Sequence, residues 1–168
     1  QVVSDRPLRY DVELGTTRAA YCTSIGHVLL AGQSDSRLES YLESTRFVAI
    51  TPRTLTERDR IHKAVLAVRR TGYASSSDSH VLGASGIAAP VSNASGQTIA
   101  GLAVIAPSAR FAPKRAAITR LVVDAAAELS RSLAQATACA ASPQRAMPGT
   151  TRTDDPRHCN PKPERRPL

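Results

Sequence analysis

The chain has 168 residues, 42% hydrophobic and 21% charged, with a formal net charge of +8 at pH 7. These values fit one globular domain with tails; they exclude a fibrous or wholly disordered protein, and the length excludes two ordinary domains joined by a linker. The charge is unevenly placed, because from Ala141 onward lie six of the eleven prolines, six Lys/Arg, three Asp/Glu and almost no large apolar side chain. Such a segment cannot offset its chain entropy by burial. Positions 141–168 are therefore expected to be a disordered Pro/Arg-rich tail, and positions 1–140 the domain, with 16 basic and 11 acidic residues and a net charge of +5.

No apolar run of about 18 residues occurs, and the start lacks the charged-then-apolar layout of an export signal. Cys22, Cys139 and Cys159 are odd in number and far apart, which fits neither a disulfide framework nor a zinc site. A reducing cytoplasm is the expected compartment, with no membrane contact. Sequence-specific nucleic-acid binding by this part of the chain is not expected: there are six aromatics in all, and the basic residues are scattered rather than gathered on one face.

In chain order, Leu8 to Leu14 alternates, with Tyr10, Val12 and Leu14 on one side, which predicts a half-buried strand ended by Gly15. Cys22, Thr23 and Ser24 then lead an apolar run closed by Gly32, the layout of a capped helix. A second helix is expected from Ser36 to about Ser44, followed by an extended Phe47–Ile50. Thr54 and Glu57 have capping-box spacing ahead of a helix that keeps Ile61, Val65 and Val68 on one stripe and stops at Gly72. Tyr73–Ala74 begins a short strand. The run Ile87–Val91, whose Pro90 favours an edge or a bulge, pairs through the turn Ser92–Gly96 with Thr98–Ile105 as an antiparallel hairpin. The last helix is expected from Pro113 to about Ala136, with Ile118, Val122, Ala125, Leu129 and Leu133 on its inner face. The sum is an α+β domain around a central antiparallel sheet.

Three stretches, GTTRAAYCTSIGHVLLA, TPRTLTERDRIHKAVLAVRRTGYA and LGASGIAAPVSNASGQTIAGLAVIAPSARF, occur in that order. Together they resemble the C-terminal effector-binding domain of IclR-type transcriptional regulators over roughly positions 8 to 137. AYCTSIGHVLLA, preceded by RYDVELGT, looks closest to the branch sensing protocatechuate, 4-hydroxybenzoate or β-ketoadipate. The resemblance implies a GAF-like fold, a small-molecule pocket on one sheet face, and homodimers or tetramers. It also implies DNA contact only through a winged helix-turn-helix, of which no trace precedes Leu8.

By resemblance the pocket comprises Tyr10, Cys22, Thr23, Ser24, Ile25, Ser76, Asp78, Ser85, Gly86, Ala103 and Ile105. Several of these depart from the family. Ser85 stands where an Arg is usual, Gly86 replaces a polar Cys or Ser, and Ala103 and Ile105 replace hydroxyl residues, while Thr17, Arg18 and Ala19 stand for an Arg-Leu-Pro order. The residues by themselves leave two readings open at Cys22–Ile25: a capped helix start that binds nothing, or a carboxylate site made of free N–H groups and the positive helix end. The resemblance favours the site.

Enzymatic chemistry is not expected. Ser85 in GASGI misses the G-x-S-x-G elbow, and Asp78 and His80 lie too close to it in sequence for a triad arranged in space. His27, His62, His80 and His158 share no metal-ligand spacing, so no metal and no cofactor are expected. The reading is an effector-sensing and oligomerisation domain of a regulator of aromatic-acid catabolism whose effector is a small aromatic or keto carboxylate. The alternative is a stand-alone GAF-like sensor or interaction module, with a small hydrolase a distant third.

Overall fold

The structure, a computed structural model, describes residues 1, 2, 5 and 12–141. Positions 142–168, and with them most of the expected tail, lie outside the described residues, as do Leu8 to Asp11 of the first expected strand. The rest of that expectation is corrected: Val12 to Leu14 form no strand, and Leu14 is 79% exposed at a turn with Gly15.

Helix α1 (Ser24–Ala31) begins where expected, with the Thr23 hydroxyl accepting a hydrogen bond from the Gly26 N–H at 3.0 Å. That bond satisfies one of the first-turn donors that have no acceptor within the helix. Its end at Gly32 is also as read, for a different reason. Gly32 is right-handed, and a Cβ there would sit 2.5 Å from the Thr98 Cβ, so the glycine admits a neighbouring segment rather than a left-handed cap. Helix α2 (Asp35–Ser44) starts one residue before expectation because Ser34 is its cap. Helix α3 (Arg58–Thr71) buries Ile61, Val65 and Val68 and stops at a left-handed Gly72. The capping box is corrected: Glu57 precedes the helix without a side-chain cap, and the Thr54 hydroxyl instead accepts from Ile50 and Thr51 N–H and donates to the Ser79 carbonyl.

Strands β1 (Ala74–Ser77), β2 (Ala84–Ser92) and β3 (Thr98–Pro107) form an antiparallel sheet in that order. Pro90 belongs to the central strand, but it lies beyond the Ser85–Ala88 stretch that β1 covers, so its missing N–H faces a locally open side; a bulge follows at Val91/Ser92. The register aligns Ser76, Gly86 and Ile105, and likewise Ala74, Ala88 and Ala103. Because side chains alternate across a strand, these six share one face.

After a short α4 (Ser108–Phe111) and a tight turn containing Pro113, α5 (Arg115–Ala141) crosses the opposite face. It buries Val122 and Ala126 with Ile118 partly buried, and the Ser130 hydroxyl accepts from the Ser92 N–H at 2.9 Å. The expected stripe through Ala125, Leu129 and Leu133 is corrected, for these three are exposed. A 27-residue helix is about 40 Å long, whereas a nine-residue strand spans about 30 Å, so the far end of α5 overruns the sheet beneath it.

The core is layered accordingly. Ile87, Ala89 and Val91 pack with Phe111, Val122 and Ala126 under α5. On the other face Val28 of α1 and Val68 of α3 meet Ala74 and Ala88. A third cluster joins Tyr21, Cys22, Leu30, Leu38, Leu42, Ile61 and Val65 among the helices. Tyr21 ties the extended Phe47–Ile50 stretch to this cluster: its hydroxyl donates to the Val48 carbonyl and accepts from the Val48 N–H, and its ring meets Phe47 edge-on at 5.2 Å.

His27, buried on α1, donates from Nε2 to the Tyr21 carbonyl at 2.7 Å. Burial pushes its pKa below the ordinary imidazole value, an effect only partly offset by that bond. A lowered folded-state pKa means that, below the unfolded value of about 6.5, the unfolded chain binds the extra proton. Stability is therefore fully present above about pH 6.5 and declines as the pH falls below it. Unfolding midpoints at pH 8, 7, 6 and 5 check this, and His27→Gln, which keeps a donor for Tyr21, should flatten the acid side.

Candidate functional site

A cleft of about 660 Å³ opens between the start of α1, the segment Thr16–Cys22 and the sheet face that carries Ser76. Cys22, Thr23, Ser24 and Ile25 line one wall; Ser76, Gly86, Ala103 and Ile105 line the other. Their meeting follows from the topology. The Ser76–Gly86–Ile105 row faces α1, and the capped turn at Thr23 sets the first residues of that helix beside it.

Ser24 is the most telling side chain. It is 2% exposed, its hydroxyl has no hydrogen-bond partner among the described residues, and its Oγ stands 3.4 Å from where a Cβ on Gly86 would lie. No buried side-chain N or O among the described residues is sealed without a partner, so this hydroxyl is reached from the cleft. Gly86 matters for space: a Cβ there would also press on Ile105 at 3.2 Å.

Not all the expected residues gather there. Ser85 borders the cleft, but its hydroxyl is taken by Ser77 Oγ at 3.1 Å and Ser108 Oγ at 2.8 Å. Ser77 is two residues from Ser75, on the α5 side of β1, so the Ser85 hydroxyl is turned away, as alternation with Gly86 requires. Asp78 does not line the cleft. It sits in the left-handed region at φ 57°, and its carboxylate accepts from the Gly83 N–H at 2.7 Å and from Ser108 Oγ at 3.4 Å, which makes it part of the β1–β2 turn. Tyr10 lies outside the described residues.

Among the lining residues absent from the expected set, Arg18 and His80 carry the chemistry. They are 62 positions apart, and the Arg18 guanidinium contacts His80 Nε2. His80 Nδ1 in turn lies 3.5 Å from the Cys22 sulfur, which donates to the Ala19 carbonyl at 3.2 Å. Arg18 was read only as part of the Thr17–Ala19 stretch that stands for the family's Arg-Leu-Pro order, and nothing local in sequence pairs it with His80. Burial pushes the Cys22 thiol above its ordinary value, with its backbone hydrogen bond and Arg18 opposing, so it rests as an uncharged thiol rather than a reactive thiolate. A smaller groove of about 420 Å³ runs between α3 and β1 and shares Cys22, Ser76 and Ser79 with the cleft. Among the described residues no group of His, Cys, Asp or Glu is placed to hold a metal ion, and no helix is long and apolar enough to cross a membrane.

The bacterial transcriptional regulator IclR C-terminal family model matches residues 1–131. The chain is 35% identical over 100 residues to the Pca regulon regulatory protein of Pseudomonas putida, covering 60% of this chain and 34% of that protein. It is 34% identical over 105 residues to the p-hydroxybenzoate hydroxylase transcriptional activator of Acinetobacter baylyi, covering 62% and 39%. The chain thus spans little more than a third of these regulators, which are not enzymes. Among solved structures, it is similar to a double mutant of the PobR inducer-binding domain from Acinetobacter in complex with 3-hydroxybenzoic acid, with TM-score 0.66 and 30% identity over 76% of this chain and 74% of that one. The C-terminal domain of Escherichia coli KdgR gives TM-score 0.67 and 29% identity, with 76% and 79% covered. A family match over three quarters of the length, on an α+β fold shared with these domains, leads to one conclusion: the chain belongs to the C-terminal domain family of IclR-type bacterial transcriptional regulators.

Proposed function

We propose that the cleft at the start of α1 senses a small aromatic or keto carboxylate, as part of a cytoplasmic regulator of aromatic-acid catabolism. The observation that carries this is the hydroxyl of buried Ser24, which has no partner among the described residues and faces Gly86 across the cleft at a helix N-terminus. The N–H groups of Ser24 and Ile25 and the hydroxyls of Thr23 and Ser24 supply donors for a carboxylate, and the helix dipole favours its charge. Ile25, Ala103 and Ile105 supply the apolar walls, with Tyr10 proposed beside them. Mostly apolar walls with a few aimed polar groups are the make-up of a small-ligand site.

The far end is poor in hydrogen-bonding groups, since Ala103 and Ile105 carry none and the Ser85 hydroxyl is engaged elsewhere. A less hydroxylated acid than protocatechuate suits it. Ligand binding then adjusts a homodimer or tetramer that presents DNA-binding domains lying outside this chain.

A thermal-shift screen with benzoate, hydroxybenzoates, protocatechuate and short keto acids tests the reading. A ligand at about 100 times its dissociation constant adds roughly 2.7 kcal/mol; no shift from any carboxylate overturns it. Ala103→Leu, which fills the cleft on the strand facing α1, should abolish the shift given by the best ligand while leaving the free protein soluble and folded.

A further inference from the structure

We propose that Arg18 and His80 form a two-group anion clamp at the mouth of the cleft, and that a carboxylate binds there together with one proton taken from solvent. This rests on the effector reading above and names the residues and the proton linkage of that site.

Arg18 is the sole charged side chain lining the cleft among the described residues, and no Asp or Glu lines it. A guanidinium has only donors, so the nitrogen it meets, His80 Nε2, must be an acceptor. The imidazole proton is then on Nδ1 and points to the Cys22 sulfur, whose own proton goes to the Ala19 carbonyl. The chain of donors runs in one direction from Arg18 to Ala19, and only a neutral His80 satisfies it. Burial first, and the Arg18 charge second, hold its pKa below the ordinary imidazole range.

The other described groups around His80 do not supply a counter-charge. Asp78, two residues away, spends its carboxylate on the Gly83 N–H and Ser108. The Thr51–Thr54 loop presents hydroxyls to the Asp78 and Ser79 carbonyls, and its Arg53 lines the separate groove beside α3. Cys22, above its ordinary pKa, is neutral. A bound carboxylate is thus the anion this pair lacks. When Arg18 turns its donors to the carboxylate, Nε2 loses its hydrogen bond and gains a nearby negative charge, both of which favour the imidazolium. One proton passes from solvent to Nε2, and His80 becomes a second donor to the anion.

Ligand affinity rises as the pH falls through the interval between the free and bound His80 values, by at most tenfold per pH unit for one proton, and is flat outside it. Isothermal titration calorimetry of the full 168-residue chain with 3-hydroxybenzoate at pH 8 and pH 6, in two buffers of different ionisation enthalpy, reads both affinity and proton uptake. We expect binding at least about fivefold tighter at pH 6 with net proton uptake, no such gain for 3-hydroxybenzamide, a pH-independent affinity for His80→Gln, and affinity about tenfold or more weaker for Arg18→Gln. Binding by the parent with no proton uptake and no pH dependence overturns the clamp and leaves the effector reading standing. A pH dependence that persists in His80→Gln also overturns it. Absence of binding by 3-hydroxybenzoate, benzoate and pyruvate at both pH values overturns the clamp and the effector reading together. The proton count on the parent decides the matter if His80→Gln does not fold.

Discussion

Gly26→Ala should be the most damaging single-methyl substitution in the described part of the molecule. A Cβ at Gly26 would lie 2.1 Å from the Ala20 carbonyl oxygen and 2.4 Å from its Cα, so the obstacle is backbone rather than a side chain that can swing away. The tight turn Ala20–Cys22 crosses the first turn of α1 at this point and carries buried Tyr21 and Cys22 into the core. Relief requires lifting that turn, which disrupts the Tyr21 contacts to Val48 and to His27. Overpacking typically costs about 1–3 kcal/mol, and a backbone clash belongs at or beyond the upper end. At about 2–4 °C per kcal/mol for a chain of this size, the melting temperature should fall by about 10 °C. Gly96→Ala is the comparison: it has φ +77° but nothing within 4 Å, so it bears only the conformational cost of about 1 kcal/mol. Equal losses at the two sites would show that Ala20 does not pack on Gly26 as described.

Ser24→Ala separates binding from stability. The hydroxyl has no partner among the described residues and is reached from the cleft, so its removal leaves none of their buried groups stranded and the free protein should melt within about 0.5 kcal/mol of the parent. Ligand affinity should respond strongly. Losing a hydrogen bond to a charged carboxylate costs about 1.5–3 kcal/mol, or roughly 10- to 150-fold in dissociation constant. Titration with the best carboxylate from the screen reads the affinity, and a melting curve of the free protein reads the stability. A variant that loses stability but binds normally would make Ser24 a packing residue and place the carboxylate elsewhere.

These two substitutions also separate what is legible locally from what is not. The start of α1 is a local event: a hydroxyl residue ahead of an apolar run satisfies first-turn donors within three residues, so Thr23 and the helix after it follow from sequence alone. The same holds for the Ile61, Val65, Val68 stripe, the left-handed Gly72, and the hairpin turn at Asn93–Gly96, all set by contacts a few residues apart. The belonging of Cys22, Thr23, Ser24, Ile25, Ser76, Gly86, Ala103 and Ile105 to one cleft was reached through family resemblance.

Other features were decided by partners distant in sequence. Thr54 has the spacing of a helix cap, but a carbonyl 25 residues away takes its hydroxyl. Ala125 and Ala126 are equivalent by composition; which of them is buried depends on how α5 lies across β2 and where the sheet ends beneath it. Ser85 and Gly86 are adjacent, and the strand register sends one side chain toward α5 and the other position toward α1. Arg18 and His80 meet only because the segment before α1 and the β1–β2 turn close the same end of the cleft. The sequence alone determined the elements and most of their ends, since these rest on bonds within a turn or two of helix; the tertiary structure decided which faces meet and which polar groups remain free for a ligand, since those depend on register and packing between segments tens of residues apart.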